Sequence, residues 1–153
     1  MSVKVVYNSN FGGFGLSGKA IRYFMELKGK TISAYRKEDD TYQKIENPTD
    51  KDFTDWGVYL FDKDFGESFN NYEQEHEDHY VSSLIIDVEG EDGYPRHDPE
   101  LVKTVEDLGN AANGSYARLR VKELKGNRYI IREYDGSENV VEPDDIKWIT
   151  VEE

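Results

Sequence analysis

The sequence contains no cysteine, two methionines, four prolines and no long hydrophobic run. The absence of cysteine excludes disulfides, thiolate metal sites and thiol nucleophiles. No apolar segment approaches the length of a membrane span, and the N-terminus reaches polar Asn8 too soon to resemble a signal peptide. We therefore expect a cytoplasmic protein that has no membrane partner.

Basic residues are also scarce, since 19 lysines and arginines stand against 32 aspartates and glutamates, for a formal net charge of −13. Nucleic-acid binding requires clusters of Lys and Arg against the phosphates, so we expect no direct binding to nucleic acid. The acidic charge has two interpretations. It keeps the protein in solution, or it forms a surface for a basic partner, including a protein that normally binds DNA.

Aromatic residues, by contrast, are abundant, with eleven tyrosines and seven phenylalanines in 153 residues, and they favour strands. This length fits one domain with its own core. The apolar spacing predicts an α+β class, with mostly antiparallel strands and two main helices at about residues 17–28 and 98–112. Strands are predicted at residues 3–7, 31–35, 42–45, 58–62 and 80–88, before a C-terminal meander at residues 116–124, 128–134, 140–141 and 148–151.

A glycine-rich loop lies between the first strand and the first helix. Its residues 12–17 have the sequence GGFGLS, and glycines that enter a helix N-terminus let the backbone approach and bind an anion. Residues 13–18 also match G-x-G-x-x-G, the dinucleotide-binding pattern. That pattern needs repeated strand–helix–strand units, whereas hairpins dominate here, and Tyr35 and Arg36 occupy the place of the ribose-binding acid. The alternative to a ligand-binding loop is a turn whose phenylalanines pack into the core.

A charged motif, RHD, stands at residues 96–98, just before the second helix. Asp98 is a predicted N-cap, followed by proline at the first helical position. If this segment folds back over the glycine-rich loop, Arg96 faces an anion held there, with His97 as a proton donor. Otherwise Arg96 pairs with a nearby carboxylate and Asp98 only caps. The predicted ligand-binding residues are Asn8, Phe11, Gly12, Gly13, Phe14, Gly15, Ser17, Arg96 and Asp98.

An acidic segment at residues 63–79 lacks periodicity and is predicted to be a mobile loop. It contains His76 and His79, which would share a face on a helix and could hold a metal with Glu73 or Glu75. The H-E-x-x-H order of helical metalloproteases is absent, and a solvated acidic loop is the other interpretation. We predict no catalytic residues, no metal site and no cofactor.

Three motifs together resemble a family of small tailed-phage proteins. They are a strand followed by GGFGLS and a helix, an R-x-D-P-x-L helix start at residues 96–101 followed by LG and ANG, and a closing EYDG strand at residues 133–136. The resemblance covers both ends of the chain well and residues 38–79 poorly. It implies a phage origin and a setting in the host-cell cytoplasm, and no catalytic role comes with it.

From these observations we expect a non-catalytic phage accessory binding protein that acts in the host cytoplasm, with counter-defence among the roles of that class. It would bind a small anionic or nucleotide-like ligand at the glycine-rich loop, with Phe11 or Phe14 stacked on a base. One alternative is an acidic inhibitor that mimics DNA and blocks a host DNA-binding protein or nuclease, motivated by the carboxylates of residues 50–64 and 73–78. A second alternative is a metal-dependent hydrolase that uses the histidine–carboxylate segment. The oligomeric state stays open.

Overall fold

Helices and strands occur throughout the part of the chain that the computed structural model describes, residues 2–81, 86 and 93–152. The helices are α1 (Gly18–Leu27), α2 (Gln74–Glu77) and α3 (Pro99–Leu108). The strands are β1 (Lys4–Asn8), β2 (Ser33–Glu38), β3 (Thr41–Ile45), β4 (Val58–Phe61), β5 (Ser68–Phe69), β6 (Leu119–Glu123), β7 (Ile130–Tyr134) and β8 (Ser137–Val141). Short 3-10 turns occupy Asp52–Thr54, Gly109–Ala112 and Pro143–Asp145. The predicted α+β class, with antiparallel strands and two main helices, is confirmed.

Strand β1 joins the helices to the C-terminal hairpin. It pairs antiparallel with β6, where Val6 stands opposite Val121. Successive side chains of a strand point to opposite faces. Val6 accordingly lies in the core with α1 and α3, whereas Val5 packs with Leu124 and with Val140 of β8. Both valines of β1 are fully buried, so the strand is covered on its two faces.

Both long helices begin at a side-chain cap and bury one face. Ser17 Oγ accepts a hydrogen bond from the N–H of Ala20, and the Asp98 carboxylate accepts two from the first turn of α3. Such caps satisfy amides that a helix leaves unpaired in its first turn. Within the described residues, no helix has the length and apolarity that a bilayer crossing requires. The helices meet in one core through Ala20, Ile21, Phe24, Met25, Leu101, Val102 and Val105.

Strands β2 to β5 form a separate four-stranded antiparallel sheet in the order β4-β2-β3-β5. This sheet carries an aromatic cluster centred on the buried rings of Tyr35, Tyr42 and Phe61. Residues 63–79 contribute to the cluster, since Phe69 stacks on Tyr42 with ring centroids 4.6 Å apart. The acidic segment therefore supplies β5, α2 and part of a second core, and its predicted mobility stays a prediction.

The C-terminal third differs from the predicted meander in its strand pairing. Strand β6 pairs with β1, from the other end of the chain, and β7 pairs with β8. The strand predicted at residues 148–151 is wrong, because these residues have no ladder partner in the described chain and remain exposed. Alternating side chains predict a strand, but the partner of that strand depends on long-range packing.

The strand predicted at residues 80–88 lies mostly outside the described residues. At its two described points, Tyr80 forms an isolated bridge with Phe61, and Ile86 forms one with Tyr94. Val81, also described, is buried in the main core. The segment therefore runs beside β4 at its start.

Gly18 should be intolerant of a side chain, because the backbone carbonyl of Phe53 lies directly against it. A Cβ there would overlap that carbonyl, so Gly18→Ala should lower the free energy of unfolding by about 1–3 kcal/mol, although alanine itself favours a helix. Gly126→Ala is the control, since nothing lies within 4 Å of its Cβ position. Urea unfolding measures both variants, and equal midpoints would show that the Gly18 contact relaxes freely.

Candidate functional site

The glycine-rich loop, residues 9–17, packs against the turn between β7 and β8. Gly12 and Gly13 have φ angles of 104° and 102°, in the left-handed region that favours glycine. The N–H of Gly12 donates to the carbonyl of Asp135 at 3.1 Å, and Gly136 lies against the backbone of Gly13. Contacts within the protein therefore set the conformation of this half of the loop.

Asn8 connects the loop to its surroundings from a fully buried position at the end of β1. Its side-chain amide donates to the carbonyls of Asn10 and Gly136 at 2.7 and 2.8 Å. Its Oδ1 accepts from the N–H groups of Asn10 and Arg118 at 3.2 and 2.8 Å. Asn8, which the sequence predicts as a ligand contact, thus uses its side-chain amide to hold three backbone segments together.

The second half of the loop also bonds within the chain. The carbonyl of Gly15 accepts from the N–H of Gly114 at 2.9 Å. Ser17 donates its N–H to the carbonyl of Ala112 and its hydroxyl to that of Ala111, at 2.9 and 2.6 Å. These bonds attach the loop to the segment after α3, so Gly15 and Ser17 have structural roles.

The G-x-G-x-x-G match does not belong to a dinucleotide-binding fold. That fold places the strands before and after the glycine-rich helix in one parallel sheet. Here β1 and β2, which flank α1, lie in different sheets, and β1 has an antiparallel partner. The spacing of these glycines therefore follows from local turn and packing requirements.

Arg96 is buried beneath the loop, and its guanidinium lies 3.8 Å from the centre of the Phe14 ring. Its Nη1 and Nη2 donate to the two carboxylate oxygens of Glu138 at 2.6 and 2.8 Å, a bidentate pair between buried side chains. Of the two arrangements considered for Arg96, the structure therefore has the one with a carboxylate partner. Among the predicted ligand contacts, Phe11 has the exposed side chain, at 59%.

Asp98 caps α3 and pairs with Lys28, whose Nζ lies 2.6 Å from Oδ2. Burial raises the pKa of Asp98, but hydrogen bonds from Lys28 and from the N–H of Leu101 outweigh it and hold this pKa below its usual range. His97 points elsewhere, with Nδ1 at 2.7 Å from the hydroxyl of Tyr129. The RHD motif therefore contacts three different parts of the fold and does not converge on one ligand.

A cleft of about 420 Å³ opens at the N-terminus of α1, where the glycine-rich loop ends. This volume is typical of small-molecule sites, which range over roughly 300–1,000 Å³. Trp56 lies at the cleft with its side chain 89% exposed. The walls come from α1, the 3-10 turn before β4, β4 itself and the segment after α3, through Leu16, Gly18, Phe53, Leu60 and Asn113.

Two carboxylates in the cleft are held by one guanidinium. Arg36 donates to Asp52 and to Asp55, and it spans the turn before β4. The pKa of Asp52 is lowered by the N–H and hydroxyl of Thr49 and by Arg36. The pKa of Asp55 is lowered by the N–H of Gly57 and by Arg36. With both carboxylates ionised, the three side chains carry one net negative charge.

The two histidines of the acidic segment have separate partners. His76 is buried, stacked on Phe69 with ring centroids 4.0 Å apart, and its Nδ1 accepts from the N–H of Glu73. His79 places its Nδ1 2.8 Å from Asp62 Oδ1. Within residues 2–81, 86 and 93–152, no group of three or more His, Asp or Glu side chains could hold a metal ion. The residues suggested for a metal-dependent hydrolase thus do not converge there.

Sequence reasoning missed the cleft and Trp56. The cleft joins segments that are distant along the chain, so no local pattern marks it. Trp56 itself had a signal, since a tryptophan in the polar stretch TDWG has no apolar neighbours with which to form a buried face.

No protein-family model, curated protein or solved structure matches this chain. The resemblance to tailed-phage proteins therefore stays a prediction.

Removal of Arg96 should be strongly destabilising, because it leaves the buried carboxylate of Glu138 without its cation. We expect Arg96→Met to lower the free energy of unfolding by about 3–5 kcal/mol. Arg96→Met combined with Glu138→Gln should lose less, because the uncharged amide oxygen still accepts from the N–H of Asn8. Urea unfolding measures both, and a double variant less stable than the single one would contradict this account.

The start of α3 should be sensitive to acid through Asp98. A carboxylate whose pKa is lowered by folding stabilises the protein when the pH is above its pKa in the unfolded chain. This stabilisation disappears as the pH falls through its pKa in the folded protein. Asparagine caps a helix as well as aspartate does, so Asp98→Asn removes chiefly the ion pair with Lys28. We expect the variant to be less stable than the wild type at neutral pH. The difference in the free energy of unfolding should shrink below pH 3.8, the ordinary pKa of an aspartate side chain. Urea unfolding across this range checks it, and a constant difference would refute it.

Proposed function

We propose that the protein is a non-catalytic binding protein that holds a small nucleotide-like molecule in the cleft at the N-terminus of α1. The exposed indole of Trp56 beside a cleft of ligand size carries this proposal. A tryptophan presents a large flat apolar surface. When a planar ring stacks on it, the face of each ring that meets the other is removed from water. An aromatic ligand is therefore the class that this side chain fits.

The N-terminus of α1 supports an anionic group on the same ligand. Ser17 and Gly18 line the cleft at the first turn of this helix. The N–H groups at a helix start carry partial positive charge and attract anions. A ring beside Trp56 and an anion beside α1 together describe a nucleotide-like molecule.

Charge limits how anionic the ligand is. The cluster of Arg36, Asp52 and Asp55 contributes one net negative charge to the cleft, and the whole chain carries −13. A polyphosphate would be repelled by this field. We therefore favour a nucleoside monophosphate over a nucleoside triphosphate.

The proposed position differs from the outer surface of the glycine-rich loop. There, the polar groups of Asn8, Gly12 and Ser17 already bond to Gly136, Asp135 and Ala112. The adjoining cleft keeps the helix N-terminus and adds an aromatic surface. The proposed ligand is thus of the class expected from the sequence, but the residues that contact it are those of the cleft.

The setting we propose is the cytoplasm of an infected host cell, where an accessory protein of this kind would act in counter-defence by sequestering a nucleotide signal. Resemblance of the two chain ends to tailed-phage proteins supports this setting. The three motifs also meet in the fold, since GGFGLS contacts EYDG through Gly12 and Asp135 and contacts RHDPEL through Phe14 and Arg96.

The alternative of an acidic DNA mimic has less support. Such an inhibitor needs rows of unpaired carboxylates to match a basic groove. In residues 50–64, basic side chains lie within 3.2, 3.5 and 2.7 Å of three carboxylates, namely Lys19 at Asp50, Lys30 at Asp62 and Lys44 at Asp64. These ion pairs reduce the negative field of residues 50–64, one of the two segments that motivated the alternative.

Tryptophan fluorescence tests the cleft directly. The chain has two tryptophans, so Trp148→Phe leaves Trp56 as the single reporter. We expect a saturable change in its emission with adenosine or guanosine monophosphate, and none with inorganic phosphate alone. Trp56→Ala should weaken binding in calorimetry at least about tenfold. Its melting temperature without ligand should match the wild type, because the removed side chain is solvent-exposed.

The matched control is Trp56→Phe, in which Trp148 is the single reporter and should not respond to the nucleotides. Two outcomes would overturn the proposal. One is the lack of a saturable signal with either monophosphate, and the other is undiminished binding by Trp56→Ala.

A further inference from the structure

Strand β7 has an open edge. It pairs with β8 on one side, from Ile130 opposite Val141 to Tyr134 opposite Ser137. Alternate residues of a strand direct their backbone groups to its two sides, so every second residue of β7 points its N–H and C=O away from β8. In the described part of the chain, no other strand pairs along that side. An edge of this kind is a template for another strand.

The surface of β7, with the sequence IIREY, lacks proline and lysine, two features that usually block such pairing, and its charged residues are Arg132 and Glu133. Ile130 is 47% exposed and Tyr134 79% exposed, and both lie on the same face as Arg132. Within the described residues, the Arg132 side chain has no ion pair or hydrogen bond. The edge therefore combines apolar surface with an unpaired cation.

The C-terminal tail, residues 146–152, has the composition of a strand without a strand partner. Trp148, Ile149 and Val151 are 79%, 91% and 82% exposed. Trp, Ile, Thr and Val are all residues that favour strands. In the described chain the tail joins no sheet. Its last described residue is the acidic Glu152. Three exposed apolar side chains of this size within four residues are a typical contact surface.

We propose that the C-terminal tail of one copy adds as a strand to the outer edge of β7 in a second copy, and that the reciprocal exchange forms a two-fold symmetric dimer. The added strand supplies partners for the outward backbone groups of β7 and for those of the tail. Because alternate side chains of a strand share a face, Trp148 and Glu152 of the added strand lie together on the face of Ile130, Arg132 and Tyr134, where the Trp148 indole covers apolar surface. The carboxylate of Glu152 is the complementary charge for Arg132.

A second copy fits this edge better than the same chain does. The turn Pro143–Asp145 leads from β8 into the tail, and it lies toward β6, with Asp145 Oδ2 at 3.7 Å from Lys122 Nζ. In the hairpin, β8 separates the start of the tail from the outer edge of β7. The tail of the same chain would have to cross the hairpin to reach that edge. Exchange between two identical chains closes with two-fold symmetry and leaves neither edge open.

Sedimentation velocity of the full chain over a wide range of protein concentration tests this proposal. We expect a concentration-dependent monomer–dimer equilibrium. Trp148→Asp in the tail and Tyr134→Asp on β7 should each shift it toward monomer by at least about tenfold in the dissociation constant. Both side chains are exposed, so circular dichroism and the melting temperature of dilute protein should be unchanged.

Trp56→Ala is the matched control, because it removes another exposed aromatic side chain outside both surfaces and should dimerise like the wild type. In a Trp56→Phe chain, Trp148 emission should shift to the blue as the protein concentration rises. A chain that stays monomeric at every concentration overturns the proposal. So does self-association that both Asp variants retain, or a Trp148 shift that does not depend on concentration, which would place the tail on its own chain. Because ligand binding is measured separately through Trp56, either proposal can fail without the other.

Discussion

The buried pair of Arg96 and Glu138 holds together the parts of the structure that surround β1. Removing two charges from water is costly unless they are paired and hydrogen-bonded. Glu138 meets this requirement with both oxygens on Arg96 and a further bond from the N–H of Asn8. The carbonyl of Arg96 also accepts from the N–H of Val6 at 2.9 Å. The pair and its hydrogen bonds therefore connect the hairpin of β7 and β8 and the segment before α3 with β1.

The same pair determines what the glycine-rich loop is able to do. Phe14 lies over the Arg96 guanidinium, and Asn8 bonds to the turn of the hairpin that carries Glu138. Glycine at positions 12 and 13 allows the left-handed backbone that brings the loop against that turn. A loop with so many internal bonds is a scaffold. In the proposed function it positions the N-terminus of α1 and the wall of the adjoining cleft.

Polar groups in this protein are mostly paired, whereas several large apolar side chains are not covered. Arg36 holds two carboxylates, and Lys28 holds Asp98. Trp56 and the tail around Ile149 remain in water, at a cost that burial against another molecule would remove. Both proposals place contacts at these exposed apolar surfaces, and the net charge of −13 favours a ligand or partner without strong negative charge.

The sequence by itself determined the local structure: the α+β class, the cap Asp98, and the existence of the strands that became β1, β6 and β7. These features depend on side-chain periodicity and on capping chemistry within a few residues. The sequence did not determine the pairing of β1 with β6, the shared burial of Arg96 with Glu138 or the cleft at Trp56. Each of these joins residues far apart in the chain, and for such contacts the pattern of one segment carries no information about the other. Tertiary packing decided them, because a buried charge and an open strand edge acquire their partners only when distant segments meet.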